Sequence, residues 1–170
     1  GTMRGPKVAL VSTSSFEDVA QAVRTFEHLK RLRSSALLDV VNRTPAEAPA
    51  IEQTFGTKVH VISSDELNVA YDKADRTESA KWANQWLRTA EKRVEPSEDE
   101  VHRSGQMYVA MRNLLQERNA QGIAVDCLTL FYGGKMPAYP CLGFFQMNDD
   151  GAVGACEGDL QSSITMLAMG

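Results

Sequence analysis

Short apolar segments separated by helix-length amphipathic stretches constrain this chain more than any other feature. Five such segments recur: KVALVS (7–12), ALLDVV (36–41), KVHVIS (58–63), AVDCLTLFY (124–132) and AVGAC (152–156). None shows the strict in/out alternation of a strand with one wet face. Runs that are apolar on both sides belong to strands covered on both faces, and the helical stretches between them supply the cover. The pattern predicts an α/β fold: a doubly wound, mainly parallel sheet of about five strands with helices on both faces, Rossmann-like. No repeat, low-complexity tract or strong boundary divides the 170 residues. They read as a single α/β domain over 1–170, long enough for one sizeable core.

The helical stretches carry their own start and stop signals. Ser15 with Asp18, Ser63 with Glu66 and Ser97 with Glu100 have capping-box spacing. After the first of them, Phe16, Val19, Ala20, Val23, Phe26 and Leu29 recur at helical spacing, with Arg24, Lys30, Arg31 and Arg33 on a solvated face. AIEQTFG forms a short helix ending at Gly56. A long helical region runs from Ser63 to about Val94, with an interruption near 72–77, and Trp86 falls on its core face. The helix after Ser97 closes at Gly122. Pro140 suits a helix start, and 148–151 (NDDG) reads as a helix end and turn; it lacks calcium-loop spacing.

The composition is that of a soluble globular domain, 43% hydrophobic and 24% charged. A formal net charge of −4 argues against broad attraction to nucleic acid or an anionic membrane. No apolar run reaches membrane-spanning length and no secretory leader is evident, so a cytoplasmic protein is expected. The three cysteines, Cys127, Cys141 and Cys156, form no C-x-x-C and lie in or beside apolar segments. They are expected to be buried thiols in a reducing compartment. His28, His60 and His102 are too scattered to complete a zinc site with them.

In open parallel sheets, ligands bind beyond the carboxyl ends of the strands. Three loops qualify. STSSFED (12–18) could hold an anion at a helix start, although simple N-capping explains it as well. YGGKMPAY (132–139) lacks the residues of a phosphate loop. Tyr132, Lys135 and Tyr139 remain candidate substrate-binding residues there. CEGD (156–159) ends a strand in a carboxylate. Its Glu157 is either an exposed turn residue or one oxygen donor to a hard or borderline cation, and Asp159 caps the following helix. A receiver-type signalling domain is excluded, because KVALVSTSS has no acid pair after the first strand.

The segment YPCLGFFQMNDDGAVGACEGDLQSSITMLAMG (139–170) resembles the L-fucose isomerase/L-arabinose isomerase superfamily, and within it the fucose-isomerase-like members. The carrying features are a Pro-Cys helix, an Asn-Asp-(acid)-Gly turn, a short strand, then Cys-Glu-Gly-Asp-Leu and an apolar helix. The middle of the chain is similar in element order and helix lengths, and residues 1–45 add little. The resemblance implies aldose–ketose isomerisation of a pentose or 6-deoxyhexose through an enediolate, with manganese or a similar divalent cation. It assigns Glu157 the role of metal-binding carboxylate and proton-transfer group. It further implies that 1–170 is an excised middle domain of a longer enzyme, inactive alone, whose other metal ligands lie past Gly170. The partners implied are a small-molecule sugar and identical subunits, with hexamers common in the family. A non-catalytic sugar- or effector-binding α/β domain is the alternative.

Overall fold

A computed structural model of the chain describes residues 12–170. Apart from its last residue, the strand expected at 7–12 lies outside them. In chain order the elements are α1 (Phe16–Ser34), β1 (Ala36–Val40), α2 (Ala48–Phe55), β2 (Lys58–Ile62), α3 (Ser64–Lys73), α4 (Arg76–Thr89) and α5 (Glu98–Glu117). They are followed by β3 (Gly122–Val125), α6 (Cys127–Tyr132), α7 (Cys141–Asp149), β4 (Val153–Ala155) and α8 (Leu160–Met169). The described residues form a four-stranded sheet in the order β2-β1-β3-β4, every pair parallel. This is the doubly wound α/β arrangement that the segment pattern predicts.

Successive side chains of a strand point to opposite faces, and here each face meets its own helices. Leu38, Val40, Ile123 and Val125 pack with Leu67, Tyr71, Ala83, Trp86, Leu130, Phe144 and Met147 from α3, α4, α6 and α7. The middle of α5, Met107 to Met111, lies wholly inside this core. Leu37, Ala124 and Ala155 face the other way, against Leu32 of α1, Ile51 of α2, and Leu160 and Ile164 of α8. Two of the capping signals close as expected. Ser63 accepts from the Glu66 amide, and Ser97 and Glu100 form a reciprocal box. Ser15 precedes α1 but makes no side-chain cap.

The structure corrects several expectations. AVDCLTLFY is not one strand: β3 stops at Val125, and α6 follows from Cys127. Asp126 N donates to Val40 O as the last sheet bond, and Leu130 N then turns back to Asp126 O at 3.0 Å. An apolar run has no period that separates a buried strand from a helix with one buried side. Cys127 and Leu130 line that buried side, while Leu128 is half-exposed.

Gly122 does not close α5, which ends at Glu117. It opens β3, where a β-carbon would meet Val153 Cβ at 2.7 Å and Leu37 Cδ2 at 2.8 Å. The long helical region divides at Asp75, whose carboxylate caps α4, and it ends at Thr89, leaving Val94 exposed. The apolar stripe of α1 is not core: Phe16, Val19, Val23, Phe26 and Leu29 are exposed, and Leu32 is the helix's buried residue.

Candidate functional site at the carboxyl edge of the sheet

The order β2-β1-β3-β4 places a topological switch between β1 and β3. The chain leaves β1 for β2 on one side, and leaves β3 for β4 on the other. The loops therefore part above this pair, to α2 on one face and α6 on the other, and open parallel sheets bind ligands in that crevice. Asn42, Arg43 and Glu47 follow β1, and Asp126 follows β3. The β1 loop is tied to the start of α3. Asn42 Nδ2 donates to Ser64 Oγ at 2.9 Å, and Ser64 N donates to Asn42 Oδ1 at 3.0 Å.

The turn after β4 folds back over the switch. Gly158 N donates to Val125 O at 3.0 Å, and a β-carbon on Gly158 would lie 3.5 Å from Asp126 Cβ. Glu157 and Gly158 are consecutive left-handed residues, at φ 59 and φ 62. For glycine this costs nothing, whereas for a glutamate it costs about 1–2 kcal/mol. The bonds on either side hold the glutamate in place. Asp159 N donates to Cys156 O at 3.1 Å, and the Asp159 carboxylate accepts from Ser162 N at 2.9 Å, capping α8. The bond from the Ser162 hydroxyl, with that from its amide, holds the Asp159 carboxyl below the usual carboxylate range. Glu157 is exposed and takes part in none of the ion pairs or side-chain hydrogen bonds among the described residues.

A second acid lies beneath the turn, and the sequence reading passed over it. Asp39, inside ALLDVV, is fully buried, and neither carboxylate oxygen has a hydrogen-bond partner among the described residues. It pairs with Ala124 across the sheet and shares the face of Leu37, below the start of α8. Burial raises its pKa to about 6; Arg43 opposes the rise, and Glu47 and Asp126 add to it. The available signal was the residue itself, a lone charge in the middle of a strand expected to be buried on both faces.

The cysteines are not uniformly buried. Cys127 is buried, while Cys141 and Cys156 are exposed residues. They come from three different segments, α6, α7 and the turn after β4. Desolvation raises Cys156 to about 11, with smaller contributions from Cys127 and Cys141. Partial burial likewise pushes Cys141 up. Thiols shifted this way stay protonated near neutrality.

Of the other candidate residues, Tyr132 and Tyr139 both pack against Phe131. Tyr139 stacks on Phe131 with centroids 3.6 Å apart, and its interaction with the Tyr132 hydroxyl, with some desolvation, raises its pKa. Lys135 has an exposed side chain, and its carbonyl accepts from Asn68 Nδ2 at 2.9 Å. No hydrogen bond or ion pair among the described residues links Tyr132, Lys135 or Tyr139 to Glu157. STSSFED stays exposed at the start of α1.

The described residues contain no group of three or more His, Cys, Asp or Glu placed to hold a metal ion. The Glu157 carboxylate has the oxygen chemistry that magnesium and manganese take, and no second acid or histidine among the described residues forms such a group with it. Two cavities, of about 460 and 490 Å³, lie elsewhere. The first is at the amino ends of the strands, by Ser35, Gln121 and Val153; the second is along the α4–α5 link. Chemistry in this fold class concentrates at the opposite, carboxyl edge.

The chain is similar to a sulfoquinovose isomerase of Alkalicoccus urumqiensis, at 26% identity over 122 residues, 70% of this chain and 26% of that protein. The match relates the chain to a sugar isomerase. The chain spans about a quarter of the length of the curated relative it matches. No protein-family model matches it. No helix among the described residues is long and apolar enough to cross a membrane.

Proposed function

We propose that this chain is a domain of a metal-dependent aldose–ketose isomerase of the L-fucose/L-arabinose isomerase type, and that Glu157 is its contribution to the reacting centre. The observation that carries the reading is the placement of Glu157: an exposed, unpaired carboxylate held in a left-handed turn above the β1/β3 switch. The relationship to a sugar isomerase supports it.

In this reading the chain's own part is narrow. The αL turn fixes the carboxylate at the rim of the sheet, where it can hold or release a proton at a sugar carbon or hydroxyl. Buried Asp39 supports the floor under that turn. A divalent cation, manganese or a similar ion, would supply positive charge beside the sugar oxygens, with Glu157 as one donor. The remaining donors and the second proton-transfer group would come from outside residues 1–170, so the isolated chain is expected to be inactive. Pentoses, 6-deoxyhexoses and sulfoquinovose form the substrate panel. The test is turnover of that panel by the complete protein with added manganese, against the same protein stripped of metal by chelation. Metal-dependent aldose–ketose interconversion supports the reading. Its absence across the panel refutes it.

One observation favours a second reading, a non-catalytic sugar- or effector-binding domain. Among the described residues no cluster could hold a metal. Sugar binding that is indifferent to metal and gives no turnover in the complete protein would select it.

A further inference from the structure

Among the described residues Asp39 is the one buried carboxylate, 0% exposed, and neither of its oxygens has a hydrogen-bond partner there. An ionised carboxylate in that setting gives up the hydration it keeps in the unfolded chain and gains no bond in return. Within the sheet Asp39 is flanked by Val61 of β2 and Ala124 of β3. Over it lies Gly158, itself buried, at which a β-carbon would stand 3.5 Å from Asp39 Oδ1. The covering turn is lightly fastened. Beyond the end of β4, the bond from Gly158 N to Val125 O ties it to the sheet, while that from Asp159 N to Cys156 O lies within the turn itself. Cys156 and Glu157 are exposed, and Glu157 holds a left-handed φ of 59 at a cost.

The charged groups around Asp39 do not neutralise it. In the loop after β1, Arg43 and Glu47 act in opposite senses, and Asp126 at the end of β3 adds a like charge. On the covering turn, Asp159 gives its carboxylate to Ser162 N at 2.9 Å, and Glu157 is exposed. On α2, Glu52 accepts from Val59 N at 3.0 Å. Burial outweighs the cation, and the Asp39 pKa stands at about 6 instead of 3.8.

We propose that the Cys156–Gly158 turn is a proton-sensitive lid, which closes over neutral Asp39 and opens more often once that carboxyl is charged, because opening lets water reach the anion. The charge does not displace the turn outright; it lowers the free-energy cost of local opening. An open turn no longer fixes Glu157 above the β1/β3 switch, so the proton on Asp39 sets how steadily that side chain is presented. The inference concerns the fold and stands without the isomerase reading.

The experiment is amide hydrogen exchange of the 170-residue chain, read by NMR in metal-free buffer from pH 5 to 8 and corrected for intrinsic exchange. The Gly158 amide should be roughly tenfold or more less protected than amides at the centre of β1 and β3, because a lid opens without unfolding the sheet. Its protection should fall about tenfold across this range, as linkage requires of a carboxyl at about 6 when covered and 3.8 when solvated. Asp39→Asn should abolish the fall. Arg43 is exposed, so Arg43→Gln should fold, and losing the opposing cation should extend the fall to higher pH. Gly158 protection equal to that of the central amides overturns the lid, since the amide would then exchange by unfolding of the whole sheet. Lower protection that ignores pH, or a pH dependence that survives Asp39→Asn, overturns the role of Asp39. If Asp39→Asn does not fold, a profile unmoved by Arg43→Gln overturns it instead.

Discussion

Gly158 closes over Asp39. A β-carbon on Gly158 would stand 3.5 Å from Asp39 Oδ1 and 3.2 Å from Val41 Cγ1, at a backbone φ of 62. The turn that presents Glu157 is thus seated directly on the buried acid. Gly158→Ala meets both the αL penalty and a tight contact with Val41. It should destabilise the chain by roughly 1–2 kcal/mol in urea unfolding. A change under a few tenths would mean that the turn is not held in this conformation.

Glu157 should respond in the opposite direction. Its φ of 59 is a position that glycine occupies freely. Glu157→Gly should therefore stabilise the fold by roughly 0.5–1 kcal/mol, while Glu157→Ala should not. Such a gain on removing the carboxylate would mark a residue kept for its chemistry rather than its contribution to folding. Equal effects of glycine and alanine would contradict the strained turn.

Asp39 makes stability depend on pH with a defined sign. Its folded pKa is raised to about 6 from the ordinary 3.8, so the folded chain binds more protons than the unfolded chain between those values. Stability contributed by this group is full below the lower value and is lost as pH rises through the folded pKa. The loss should be on the order of 1–3 kcal/mol, with the opposing charge of Arg43 already included in the raised value. Asp39→Asn should remove this slope and be the more stable protein above neutrality. Unfolding curves from pH 4 to 8 check it, and an unchanged slope in the variant would assign the pH dependence to other groups.

Much of this architecture was legible in the chain. ALLDVV, KVHVIS and AVGAC became β1, β2 and β4 because each is a short apolar run bounded by turn residues. Ser63, Ser97 and Asp159 cap the helices that their spacing announces. AVDCLTLFY misled because its boundary is set by tertiary hydrogen bonding: the last bond to β1 falls at Asp126, and nothing in the run marks that point. The stripe of α1 has the spacing of a core face, and spacing alone does not say whether a body lies beneath it. At the site, Glu157 stood out through its motif. Asp39 did not, because only the register of β1 against β3 and the fold-back of Gly158 place it under the turn.

The three cysteines should be poor nucleophiles despite two being exposed residues. With Cys156 raised to about 11 from 9.0, its thiolate fraction near neutrality falls about a hundredfold. Iodoacetamide labelling followed by mass spectrometry should show slow modification of Cys156, and of Cys127 only on unfolding. Rapid labelling of Cys156 in the native chain would contradict the apolar setting beside the Glu157 turn.

The most direct measurement of the central claim compares wild type and Glu157→Gln in the complete protein, assayed with manganese for aldose–ketose interconversion of the sugar it turns over. The substitution keeps the shape of the turn and removes the charge and the basic oxygen. The account predicts a loss of about a thousandfold or more in kcat, with folding and unfolding midpoint essentially unchanged. A Glu157→Gln protein that isomerises its sugar at a rate near that of wild type would contradict it.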